Sequence, residues 1–149
     1  MSGIAKIDKV IQHFQSFEER LDSIIRQALE ENESAVIELN IYSQLYDEGI
    51  RSDGTPVKPK YTKLTVQIKQ QLNQPTDRVT LRDTGNFHES FMIVFEDDSF
   101  HFTSTDSKTA HLTSKYGKKI FGLTEENLAK VIKQYVTPLV EYEIKNFKQ

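Results

Sequence analysis

Asp83-Thr84-Gly85, in the stretch "RVTLRDTGNFHESFMIVF" at 78–95, is the one tripeptide in the chain with an obvious chemical reading, and His88 and Glu89 follow closely. In aspartic proteases Asp-Thr-Gly supplies a carboxylate that must share its site with a second one. This chain has a single copy, so a homodimer would have to provide the other. Those proteases are nearly all β, whereas long helical patterns flank this stretch. The structural reading is therefore favoured: Asp83 caps a turn, Gly85 takes a positive φ angle, and Arg78 and Arg82 brace Asp83 by charged hydrogen bonds.

The other reactive residue types form no recognisable set. His13, His88, His101 and His111 show neither the i, i+4 spacing of a zinc helix nor another ligand spacing, and are expected at the surface or at interfaces. Asp97 and Asp98 are adjacent; on a strand they point to opposite faces, so a turn is the simpler role. Six glycines stand singly, with no phosphate-cradling loop and no Gly-x-Ser-x-Gly nucleophile turn. Without cysteine there is no disulfide or thiolate metal site. No cofactor, metal or catalytic residue is expected.

Basic residues gather at Lys58, Lys60, Lys63 and Lys69 and again at Lys108, Lys115, Lys118 and Lys119, with Tyr61 and Tyr116 among them. That interleaving is what single-strand binders use, and a small nucleic-acid-binding module is the alternative function. A net charge of −3 argues against broad nucleic-acid binding.

The elements that must position these residues read as one domain, 1–149. Ile4, Ile7, Ile11, Phe14, Leu21, Ile24, Ile25 and Leu29 form an apolar stripe, widened by Phe17, on a helix over 1–30. In 35–42, Ile37, Leu39 and Ile41 alternate with polar residues; this favours a short strand, with a helical extension as the other possibility. Gly49, Gly54, Pro56 and Pro59 mark a loop over 47–59. Thr62 caps a helix over 62–72 whose Leu64, Ile68 and Leu72 share a face. Strands at 90–96 and 99–104 form a hairpin, with Phe91, Ile93 and Phe95 on one face, Phe100 and Phe102 on one face, and Asp97-Asp98 as its turn. Residues 105–119 read as a polar loop. Thr124 caps a helix over 124–147, with a Leu123–Leu128 staple and a kink at Pro138. The class is α+β: long N-terminal and C-terminal helices packed on a small antiparallel sheet with long polar loops. The N-terminal "MSGIAKIDKV" has no long apolar run, so no signal peptide is expected, and no run is long enough for a membrane span.

Three segments in order, "GIRSDGTPVKPKYTKLTVQIK", "LRDTGNFHESF" and "KYGKKIFGLTEENL", resemble the virion-morphogenesis proteins of tailed phages and prophages, the small tail-completion or head–tail joining proteins. The matching positions are Thr65 and Lys69; Leu81, Thr84, Gly85, Phe87 and Ser90; and Phe121, Gly122, Leu123, Thr124 and Glu125. The likeness covers roughly residues 40–135. The chain lacks the Trp common after the family's first Gly loop and the family's Tyr-Ala-x-x-His-x-x-Gly segment. The resemblance implies a structural protein rather than an enzyme. It implies a homo-oligomer that contacts other tail or connector proteins, located in the virion and in host cytoplasm during assembly. On that reading Arg82, Asp83, Thr84, Gly85, Phe87 and Ser90 form a structural turn. The polar loops supply the interface, with Ile50, Arg51, Tyr61, Lys115, Tyr116, Lys118 and Phe121 as candidates.

Overall fold

The computed structural model describes residues 3–97 and 99–147. In chain order these form α1 (Gly3–Glu31), α2 (Glu33–Glu38) continued by a π-helical segment (Leu39–Glu48), α3 (Lys63–Gln71), the single-turn α4 (Asn86–Glu89), β1 (Phe91–Phe95) and β2 (Phe100–Ser104). Then follow α5 (Thr109–Tyr116), a 3-10 turn (Lys118–Ile120), α6 (Glu125–Val131), a second π segment (Ile132–Val136) and α7 (Thr137–Phe147). The class is α+β with long terminal helices and a two-stranded antiparallel sheet. The chain divides into two compact units: residues up to Asn32 together with those from Lys130 onward, and Glu33–Ala129.

In the first unit α1 packs against the Ile132–Val136 segment and α7, and Arg20 pairs with Glu143. The apolar stripe of α1 divides along its length. Ile24, Ala28 and Leu29 are buried, whereas Ile4, Ile7, Val10, Ile11 and Phe14 are exposed. Before Pro138, which has no N–H to donate, the helix widens: the Thr137 N–H reaches back five residues to the Ile132 carbonyl. The expected perturbation at proline is thus taken up by a π segment, one of the established ways a helix absorbs it.

The second unit holds the sheet. Phe91 faces Ser104, Ile93 faces Phe102 and Phe95 faces Phe100, so the expected apolar faces coincide. The Glu96 N–H donates to the Ser99 carbonyl at 2.8 Å to close the hairpin. The expected Asp97-Asp98 turn includes Asp98, which lies outside the described residues. α2 packs on β1, and the Glu33 carboxylate accepts the Ile93 N–H at 3.0 Å, occupying a donor that a strand edge would otherwise leave open.

Two expectations fail. Residues 35–42 are helical, not a strand. The buried positions are Val36, Ile37, Asn40, Ile41, Gln44 and Leu45, a repeat of four that suits a helix wound between α and π geometry. The alternation of Ile37, Leu39 and Ile41 concealed this, because half of the inward pattern consists of amides. Residues 105–119 are not one polar loop either. They contain α5, which buries Tyr116 and half-buries Leu112 despite a polar sequence, and the turn that buries Ile120.

Candidate functional site

Asp83-Thr84-Gly85 forms a turn, though not by the contacts anticipated. Gly85 has φ 95°, a left-handed conformation that a Cβ disfavours. The Thr84 hydroxyl, not Asp83, accepts the Asn86 N–H, at 3.4 Å. Among the described residues the exposed Asp83 carboxylate meets no donor, and no group of three Asp, Glu or His side chains is placed to hold a metal. Arg78 does not brace Asp83. Its Nε donates to the Tyr46 carbonyl at 2.6 Å and its Nη1 pairs with Asp77 at 2.6 Å, because the chain turns those two groups toward it. Arg82 lies over the Tyr46 ring, 5.7 Å from its centre. Ser90 ends α4, and its carbonyl accepts the Thr105 N–H at 3.0 Å.

Because α4 is a helical turn rather than the start of a strand, it swings Phe87 and His88 inward. Phe87 and Phe91 meet edge to face at 5.1 Å, and Phe121 closes the cluster at 5.0 Å from Phe91. His88 corrects the expectation of surface histidines: it is buried, with Nε2 3.0 Å from the Thr80 carbonyl. A carbonyl only accepts, so Nε2 carries a proton. Burial in this aromatic setting pushes its pKa down to about 4, with the nearby Arg82 charge acting in the same direction. His13, His101 and His111 are exposed.

A second constellation escaped the sequence reading. Asn40 and Gln44, one turn apart on the widened helix and wholly buried, grip the backbone of 120–124. Asn40 donates to the Ile120 carbonyl (3.0 Å) and accepts from the Gly122 N–H (2.8 Å). Gln44 donates to the Gly122 carbonyl (2.9 Å) and accepts from the Thr124 N–H and from Asn127 Nδ2, each at 2.9 Å. The two amides act like a neighbouring strand for this segment. Thr124 is the expected cap, accepting the Asn127 N–H at 3.2 Å. The detectable signal was a pair of amides at i, i+4 inside an apolar helical repeat.

The candidate interface residues scatter into different roles. Ile50 is half-buried and bridges to Pro56. Arg51 is committed internally, donating to the Tyr116 carbonyl (3.0 Å) and the Lys58 carbonyl (2.9 Å), so it is a brace for the loop rather than a free cation. Tyr116 is only 6% exposed and cannot be a contact platform. The Tyr61 hydroxyl accepts the Thr80 N–H at 2.9 Å, and Lys69 Nζ sits 4.8 Å from its ring centre. Tyr116 offers no open face for a stacking base, and Lys69 occupies one face of Tyr61. Lys118 and Phe121 border a groove of about 630 Å³ beside β2, with Phe102 and Leu128.

The structure instead gathers Tyr61, Lys115, Tyr116 and the turn residues Arg82, Asp83, Thr84, Gly85 and Phe87 around another groove of about 500 Å³. One wall is α3, whose Leu64, Ile68 and Leu72 do share a face as expected; that face is exposed, and Ile68 and Leu72 line the groove. α5 contributes Leu112, and Leu81 holds a left-handed backbone with φ 57°, uncommon for a bulky residue. Lys69, only 8% exposed, donates to Gln74 Oε1 (3.1 Å) and to the Arg82 carbonyl (3.0 Å). No family model, curated protein or solved structure matches the chain.

Proposed function

We propose that this chain is a structural virion-assembly protein, acting in tail completion or head–tail joining by oligomerising and contacting neighbouring virion proteins. The observation that carries this reading is the bare half-stripe of α1. Ile4, Ile7 and Phe14 are 75%, 60% and 63% exposed, with Val10 and Ile11 between them. A contiguous apolar face of this kind marks an interaction surface. The residues of the three motif segments support an architectural role: Gly85 shapes a turn, Phe87 and Phe121 share the aromatic cluster, Gly122 is held by Asn40 and Gln44, and Thr124 caps a helix. None of these is poised as a nucleophile, acid or base.

The test is genetic and visual. The gene is removed in frame from the phage or prophage that carries it, and lysates are viewed by negative-stain electron microscopy. Separate heads and tails are expected, with joining restored by the wild-type chain but not by an Ile7→Glu/Phe14→Glu variant. Normal joined, infectious particles without the gene would refute the proposal.

A further inference from the structure

We infer that the groove between α3, the 81–87 turn and α5 is a docking site for an acidic peptide segment of a partner protein. An Asp or Glu side chain would meet Lys60 or Lys115, and an adjacent aliphatic side chain would rest on Ile68, Leu72 and Leu112. The inference deepens the assembly reading and rests on it for the class of partner.

Charge complementarity makes the case. The groove is lined by Lys60, Lys69, Arg82, Lys108 and Lys115 against the single carboxylate of Asp83, on a chain whose net charge is −3. Among the described residues no carboxylate lies within ion-pair distance of any of the five cations. Lys60, Arg82, Lys108 and Lys115 are exposed and can meet a ligand. Lys69 is held by Gln74, the Arg82 carbonyl and the Tyr61 ring, with no carboxylate beside it, and adds its charge to the field of the groove.

The apolar part of the groove selects the second half of the ligand. Its side is aliphatic, with Ile68 and Leu72 exposed at 48% and 56%. A nucleic acid binds best where flat aromatic platforms are open, but Tyr116 is buried and one face of the Tyr61 ring is taken by Lys69. An acidic residue beside a Leu or Ile satisfies both the cations and the aliphatic wall.

The experiment pans short random peptides on the wild-type chain at physiological salt, then measures the best binder by fluorescence polarisation against variants. Enrichment of Asp or Glu next to Leu or Ile is expected, with affinity at least about tenfold weaker for Lys115→Glu and for Ile68→Glu. Ile68→Glu and Lys115→Glu lie on the surface, so both variants retain wild-type thermal unfolding. Failure to enrich such peptides, or equal binding by all variants, overturns the inference. Labelled oligothymidine binding at the same salt that is lost in Lys115→Glu would assign the groove to nucleic acid instead. Self-association that is lost in Ile68→Glu would assign it to a second copy of this chain. Self-association through α1 that persists while no peptide is enriched removes the groove proposal and leaves the assembly reading standing.

Discussion

Replacing Gln44 by Met tests the amide grip on 120–124. Methionine is close in length and shape, so little volume changes, but three hydrogen bonds vanish. The Gly122 carbonyl, the Thr124 N–H and Asn127 Nδ2 each lose a partner at 2.9 Å around a side chain with no exposure. An abandoned buried polar group costs about 1–3 kcal/mol, and the segment can shift to recover part of this. A net loss on the order of 3–5 kcal/mol follows. For a chain of this length that corresponds to a fall in Tm of roughly 8–16 °C. Urea unfolding followed by far-ultraviolet circular dichroism reads the free energy, and thermal scans read the Tm. A loss below about 1 kcal/mol, no more than an ordinary substitution, would refute the claim that the two amides hold this segment.

Two further variants probe the turn and its histidine. Gly85→Ala must force a Cβ into φ 95° and is expected to lose more than about 1 kcal/mol, while Asp83→Asn, whose carboxylate makes no contact, should stay within about 0.5 kcal/mol in the same unfolding assay. His88 has its folded pKa depressed from 6.5 to about 4, so the unfolded chain binds more protons between those values. Its contribution is therefore complete above pH 6.5 and is lost as pH falls toward 4, on the order of 3 kcal/mol in all; the wild-type minus His88→Gln difference in urea midpoint across that window isolates it from the carboxylates.

The parts of the fold legible in the sequence were those fixed by local signals. Thr62 and Thr124 cap their helices as read, the facing pairs of the hairpin follow from period-two alternation, and the stripe of α1 is helical along its length. What was missed depends on distant partners. Asn40 and Gln44 occupy core positions only because the backbone of 120–124 satisfies them, some eighty residues away, and without that knowledge 35–42 looks like a strand. Half of α5 is Thr, Ser and Lys, and what favours the helix is the burial of Tyr116 and the Arg51 bond to its carbonyl, a tertiary effect that overrides propensity. The single turn of α4 reverses the orientation of His88. The two basic clusters were legible, but their meeting at one groove was not, because Lys60 and Lys69, Arg82, and Lys108 and Lys115 come from three separate segments.

The central claim is that the exposed half of α1 is an assembly surface. Completing the burial of Ile4, Ile7, Val10, Ile11 and Phe14 is worth about 1 kcal/mol or more per side chain. A contact that covers the stripe on two copies gains on the order of 10 kcal/mol, against an association cost of about 4–15 kcal/mol, so self-association should be real but weak. Sedimentation velocity from micromolar to near-millimolar concentration measures this directly. The wild-type chain is expected to shift to larger species as concentration rises, and the Ile7→Glu/Phe14→Glu variant, equally stable, to remain a monomer. A wild-type chain that stays monomeric throughout, or a variant that associates just as well, would contradict it.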